Sequence, residues 1–138
     1  MIYYKDHIRL VAGWGEMPIS AKEKPSWQLE KTGGFEAIFQ DKVNITVGLI
    51  SDTHMPGTIN RLWPAVIEAF RSVDCILHAG DLHTASVIDE LATLAPTFAC
   101  YGNGDLGQTH PRLQDTWILN LGRSSVGLVH KFPSPMRL

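Results

Sequence analysis

Asp52 and His54 stand two residues apart just past the apolar run Val47-Gly48-Leu49-Ile50, and three more side chains of ligand type, Asp81, Asn103 and His130, follow later apolar runs. Together they offer carboxylate oxygens, an amide oxygen and imidazole nitrogens. That mixture suits a borderline divalent ion such as manganese, iron or zinc better than calcium, which takes nearly all its ligands from oxygen. A carboxylate at Asp81, on the middle run, is placed to bridge two ions. Two metals about 3.5 to 4 Å apart would clamp a phosphate and lower the pKa of a shared water toward roughly 7, giving hydroxide for in-line attack. Taken one at a time, an Asp, Asn or Ser after a strand is more often a turn residue or a helix cap. Capping does not explain the set, because His54 and His130 are poor caps.

Elements that would position these groups are legible around them. Val47 to Ile50 reads as a buried strand that breaks into a loop through Pro56-Gly57. Pro64 fits a first helical turn, and Val66, Ile67, Ala69 and Phe70 form an apolar stripe with Glu68 and Arg71 outside. That helix ends near Ser72. Val73 to Ala79 predicts a second strand, Ser86 to Leu94 a second helix stopped by Pro96, and Thr97 to Tyr101 a third strand. A β-α-β-α-β order argues for parallel strands with right-handed crossovers, and parallel sheets build sites at the carboxyl ends of their strands. Gly102 to Asp115 is expected as loop, and Trp117 to Leu121 with Ser125 to Val129 as a β-hairpin about Gly122-Arg123-Ser124. His78 lies within a strand and reads as a hydrogen-bonded structural histidine; His83 and His110 are loop residues near the site; Asp105 caps the loop or orients Asn103.

Residues 1–45 differ from the rest. His7 to Trp14 and Phe35 to Phe39 predict short strands, with irregular chain at Pro18, Lys22-Glu23-Lys24 and Pro25, a turn at Gly33-Gly34, and Trp14 and Trp27 seeking partners. We expect an N-terminal extension over 1–45, laid against a domain over 46–138. The full length, 138 residues with 44% hydrophobic and 19% charged, suits one soluble globular core. Net charge of −2 and a pI near 6.3 give no general attraction to nucleic acid or to an acidic membrane. The apolar runs are strand-sized and no secretory signal is visible, so a cytoplasmic protein is expected. Cys75 and Cys100 both fall inside predicted strands and read as reduced core residues.

In this order Asp52-Thr53-His54, Gly80-Asp81, Gly102-Asn103-Gly104-Asp105 and Gly127-Leu128-Val129-His130 resemble the motifs of the calcineurin-like metallophosphoesterases, specifically the small phosphodiesterase branch related to the retromer small subunit. The resemblance covers residues 46 to 131. It implies an α/β fold, a metallophosphoesterase-like αββα sandwich of two packed sheets, here a β-α-β-α-β unit followed by a hairpin. It implies two divalent ions per site, manganese first, with iron, zinc or nickel as alternatives. Asp52 and His54 would bind one ion, Asp81 would bridge, and Asn103 and His130 would bind the other; Asp52, His54, Asp81 and Asn103 would be the catalytic set. Where larger relatives carry a histidine after the asparagine this chain has Gly104, and Lys131 follows His130 where the family has glycine. The family's closing Gly-His-x-His, a further ligand for each ion, is not found after His130. We therefore expect a domain incomplete at the C-terminus, with exposed strand edges, weakened metal binding and impaired turnover.

The expected activity is hydrolysis of a phosphodiester or phosphomonoester on a small molecule, with no nucleic-acid or membrane partner and with room for a homo-oligomer. A non-catalytic protein-binding scaffold of the same fold is the alternative, and a flavodoxin-like domain holding one magnesium ion a third. Retained ligands favour the enzyme over the scaffold. Imidazoles disfavour the magnesium site.

Overall fold

A computed structural model of the chain describes residues 2–3, 8–12, 15–17, 34–57 and 61–131. His7, Trp14, Pro18, Lys22-Glu23-Lys24, Pro25, Trp27 and Gly33, the end of the Pro56–Asn60 loop and the tail from Phe132 to Leu138 lie outside the described residues. The elements run in the order β1 (Ile2–Tyr3), β2 (Ile8–Ala12), β3 (Gly15–Met17), β4 (Gly34–Ile38), β5 (Ile45–Ile50), α1 (Pro64–Phe70), β6 (Cys75–His78), α2 (Ser86–Ala92), β7 (Thr97–Cys100), β8 (Leu113–Gln114), β9 (Trp117–Leu121) and β10 (Ser124–Leu128).

Strands β5, β6 and β7 are parallel neighbours in a six-stranded sheet ordered β3-β2-β5-β6-β7-β8, with α1 and α2 as the crossovers. Their side chains alternate between two separate apolar clusters, which is why the runs look uniformly hydrophobic in sequence. Ile45, Val47, Cys75, Leu77, Phe98 and Cys100 face the second sheet, where they meet Trp117, Leu119, Leu121, Val126 and Leu128. Ile50, Ile76 and Ala99 face the helices, where they meet Val66 and Phe70 of α1 and Val87, Ile88 and Leu91 of α2. The layers are helices, then the six-stranded sheet, then a four-stranded sheet ordered β1-β10-β9-β4. This is the α/β architecture of two packed sheets that the family resemblance implies, with the described helices on the six-stranded sheet. Glu68 and Arg71 lie outside the α1 stripe and pair across one turn at 2.8 Å. Among the described residues no helix is long and apolar enough to cross a membrane.

Two expectations change. The stretch from Gly102 to Asp115, read as loop, holds a single 3-10 turn at Asn103–Asp105 and the two-residue strand β8 paired to β7. Elements this short carry no periodicity, so the sequence hides them. The segment before residue 45, read as an arm on the domain surface, supplies strands to both sheets. β2 lies parallel to β5 and carries β3 on its far side, β1 runs antiparallel to β10, and β4 runs parallel to β9. The outer edges of β5 and β10 are thus paired. A free edge presents a row of N–H and C=O groups, and any extended segment within reach satisfies them; sequence periodicity does not reveal which segment that is.

Candidate metal centre

The predicted site residues all follow strand ends: Asp52 and His54 after β5, Asp81 after β6, Asn103 after β7, and His130 after β10. The first two loops are zipped together beyond the sheet. Asp52 N donates to Gly80 O (2.9 Å), His54 N to Asp81 O (3.1 Å) and Met55 N to Leu82 O (2.9 Å). Asp105 fastens the third loop to the second. Its fully buried carboxylate accepts from Asp81 N (2.9 Å) and Gly102 N (2.8 Å) through Oδ2 and from His83 N (2.8 Å) through Oδ1. Such over-determination is what left-handed backbone requires, and Asp52, His54, Asp81 and His83 all have positive φ, from 47° to 69°. Each non-glycine residue held there costs about 1–2 kcal/mol.

Donor atoms of Asp52, His54 and Asp81 lie within 4.8 Å of one another. Asp52 is exposed, His54 is half-buried and Asp81 is buried, so the group runs from the interior to the surface. His54 Nε2 stands 3.6 Å from Asp52 Oδ1, and His130 Nε2 stands 3.6 Å from Asp81 Oδ2. Those separations are too long for hydrogen bonds. They suit paired ligands of a common cation, since two donors each about 2.1 Å from one tetrahedral ion stand roughly 3.5 Å apart. His130 approaches Asp81 from the second sheet. Its Nδ1–H donates to Ala79 O (2.6 Å), which leaves Nε2 as the lone-pair nitrogen facing Asp81. A side chain at Gly80 would strike the His130 ring, with a Cβ 2.6 Å from its Nδ1. The other oxygen of Asp81, Oδ1, accepts from Gly104 N (2.8 Å).

Asn103 lies at the surface rather than in the interior. It is exposed beside a cavity of about 420 Å³ that Tyr101, Leu106, Gln108 and Asp115 also line. Its neighbour Gly104 makes the direct contact with Asp81.

Beneath the site His78 is completely buried. Gly80 N donates to its Nδ1 (3.2 Å), so Nε2–H donates to Thr53 Oγ1 (3.0 Å). Burial pushes this imidazole down from 6.5 to about 4, against the pull of Asp105, Asp52 and Asp81. His78 is therefore neutral and structural. His110 is tied away from the centre, with Nδ1 accepting from Arg112 N (2.9 Å) and Nε2 against Asp89 Oδ1 (3.1 Å). His83, which the sequence places only as a loop residue near the site, brings its Nε2 to 2.6 Å from His54 Nδ1. A histidine two residues past a candidate ligand was the available signal.

Residues 45–138 match the model of the calcineurin-like phosphoesterase superfamily domain. The chain belongs to the calcineurin-like phosphoesterase superfamily. It is 42% identical over 86 residues to a probable metallophosphoesterase of Methanothermobacter thermautotrophicus, covering 61% of this chain and 48% of that protein. It is 34% identical over 84 residues to a probable metallophosphoesterase of Methanocaldococcus jannaschii, covering 61% of this chain and 42% of that one. The chain therefore spans about half the length of these curated relatives. No solved structure gives a match. As a calcineurin-like phosphoesterase domain, the chain carries at its strand ends the hard-oxygen and imidazole donors that divalent metals take.

Proposed function

We propose that this chain holds a dinuclear divalent-metal centre that hydrolyses phosphate esters of small molecules. One observation carries the reading: the convergence of Asp52, His54 and Asp81, with donor atoms within 4.8 Å of one another, from two separate strand ends. Asp52, His54 and Asp81 would hold one ion; Asp81, His130 and Asn103 would hold the second. A donor set of carboxylate, imidazole and amide fits manganese, with iron, zinc or nickel as alternatives. When bound, such ions polarise phosphate oxygens and lower the pKa of a coordinated water.

The chain's own contribution is positioning. Asp105 and the ladder between the first two loops hold Asp52, His54 and Asp81 in one arrangement. The Ala79 carbonyl holds His130 with the correct nitrogen forward. Asp52 has 53% of its side chain exposed, which leaves it open to an incoming phosphate. Asn103, also exposed, would offer a carboxamide to the second ion or to the phosphate.

The test is direct. Chelator-stripped protein titrated with Mn²⁺ in a calorimeter should bind it, and the loaded protein should hydrolyse bis(p-nitrophenyl) phosphate or p-nitrophenyl phosphate. Asp81→Ala should lose both properties. Equal Mn²⁺ binding by Asp81→Ala and the parent would reject the bridging role. Binding without hydrolysis of either ester would favour the non-catalytic scaffold.

A further inference from the structure

A ligating imidazole uses one ring nitrogen for the metal and needs a partner that holds the proton on the other. His130 has the common solution, a backbone carbonyl at its Nδ1. His54 has a different one. Its Nε2 faces Asp52, and its Nδ1 meets the Nε2 of a second imidazole, His83, at 2.6 Å. The rings meet edge to face, with centroids 4.2 Å apart and planes at 89°.

Independent features hold His83 in that place. Its backbone N–H donates to buried Asp105 (2.8 Å), and its φ is +69°. Its ring fills the space that a side chain at position 104 would take: a Cβ built on Gly104 would collide with its Cδ2 and Nε2. On the other side a Cβ at Gly57 would sit 3.9 Å from its Nδ1. Glycine at 104 thus makes room for the imidazole of 83, and the imidazole of 83 reaches His54.

We propose that His83 is a positioning residue for His54: its Nε2 accepts the Nδ1–H of His54, fixes that tautomer, and turns the His54 Nε2 lone pair toward Asp52 and Asp81 to receive a divalent cation. The inference rests on the metal-centre reading above and adds to it a residue outside the proposed ligand set. His83 is itself the Nδ1–H tautomer. What matters at this point is a hydrogen-bond acceptor, so an amide oxygen should substitute for the imidazole and an alkyl group should not.

The experiment compares full-length parent, His83→Gln and His83→Leu for Zn²⁺ affinity by competition with a chromophoric chelator, and records ¹⁵N-histidine NMR spectra of the Zn²⁺-loaded parent. His83→Leu is expected to weaken Zn²⁺ binding by about ten- to a hundredfold, and His83→Gln to recover most of that loss. The parent spectrum should show His54 protonated at Nδ1 and ligating through Nε2. Parent-like affinity in His83→Leu, equal losses in the two variants, or a parent spectrum with His54 protonated at Nε2 would each overturn the role. A parent that binds no Zn²⁺ would overturn the metal-centre reading, and this role with it, whereas binding indifferent to position 83 removes the role alone. The parent spectrum decides the tautomer even if His83→Leu does not fold.

Discussion

Asp105 ties together two of the loops that carry the candidate ligands. Three backbone N–H groups from two loops converge on its carboxylate, which is 0% exposed. The sequence predicts it as a cap of its own loop or as a support for Asn103; the structure bears out the cap, at Gly102 N, and makes it the clasp of the Asp81 loop as well. The contacts to Asp81 N and His83 N span 24 and 22 residues of sequence, and no local pattern encodes those. His78 gives the pH prediction at this scale. Its pKa is lowered on folding, from 6.5 to about 4, so the unfolded chain takes up a proton first as pH falls. The stability this neutral imidazole provides is full above about pH 6.5 and is lost progressively down to about pH 4, by about 3 kcal/mol. Urea unfolding of the parent and His78→Gln at pH 7 and pH 4.5 checks it. The stability gap between them should narrow at the lower pH, and a gap unchanged by pH would contradict the assignment.

Among the elements, the β-α-β-α-β unit was the most legible, because short apolar runs punctuated by proline and glycine leave few alternatives. Val66, Phe70, Val87, Ile88 and Leu91 all point inward, as their spacing requires. Strand partners were not legible. That β4 would lie parallel to β9, or β2 to β5, depends on which edges are free after the helices dock, and periodicity does not carry that information. The candidate ligands were legible as residue types at strand ends, while their burial was not: Asp81 is buried and Asn103 is exposed. Between the sheets, Phe98 packs edge-on against Trp117 at 5.1 Å, and the Trp117 indole N–H donates to Ala99 O at 2.8 Å. Phe98 is completely buried. Phe98→Ala is therefore expected to cost about 3 to 5 kcal/mol, read as a lowered urea midpoint. A loss under 1 kcal/mol would mean that the sheets close over the gap.

For the molecule as a whole, Cys75 and Cys100 serve as reporters. Both are buried in the cluster between the sheets, and burial pushes each thiol up to about 12, with Asp74 adding to the effect at Cys75. Only the thiolate attacks a disulfide reagent. At pH 8 the native chain is expected to react with an aromatic disulfide reagent orders of magnitude more slowly than the chain in denaturant. Rapid labelling of the native protein would show that the two sheets part readily.

The pairing of Ile2–Tyr3 with Gly127–Leu128, and of Gly34–Ile38 with Trp117–Leu121, also bears on how this protein is made. Each of these segments must wait for a partner far along the polymer before it finds its place, whereas the helical crossovers dock against strands that adjoin them in sequence. Partners so distant along the polymer slow folding and prolong the exposure of sticky intermediates. Until Trp117, Leu119, Leu121, Val126 and Leu128 arrive, the inner face of the six-stranded sheet has nothing to cover it, and an intermediate of that kind is the one most prone to associate.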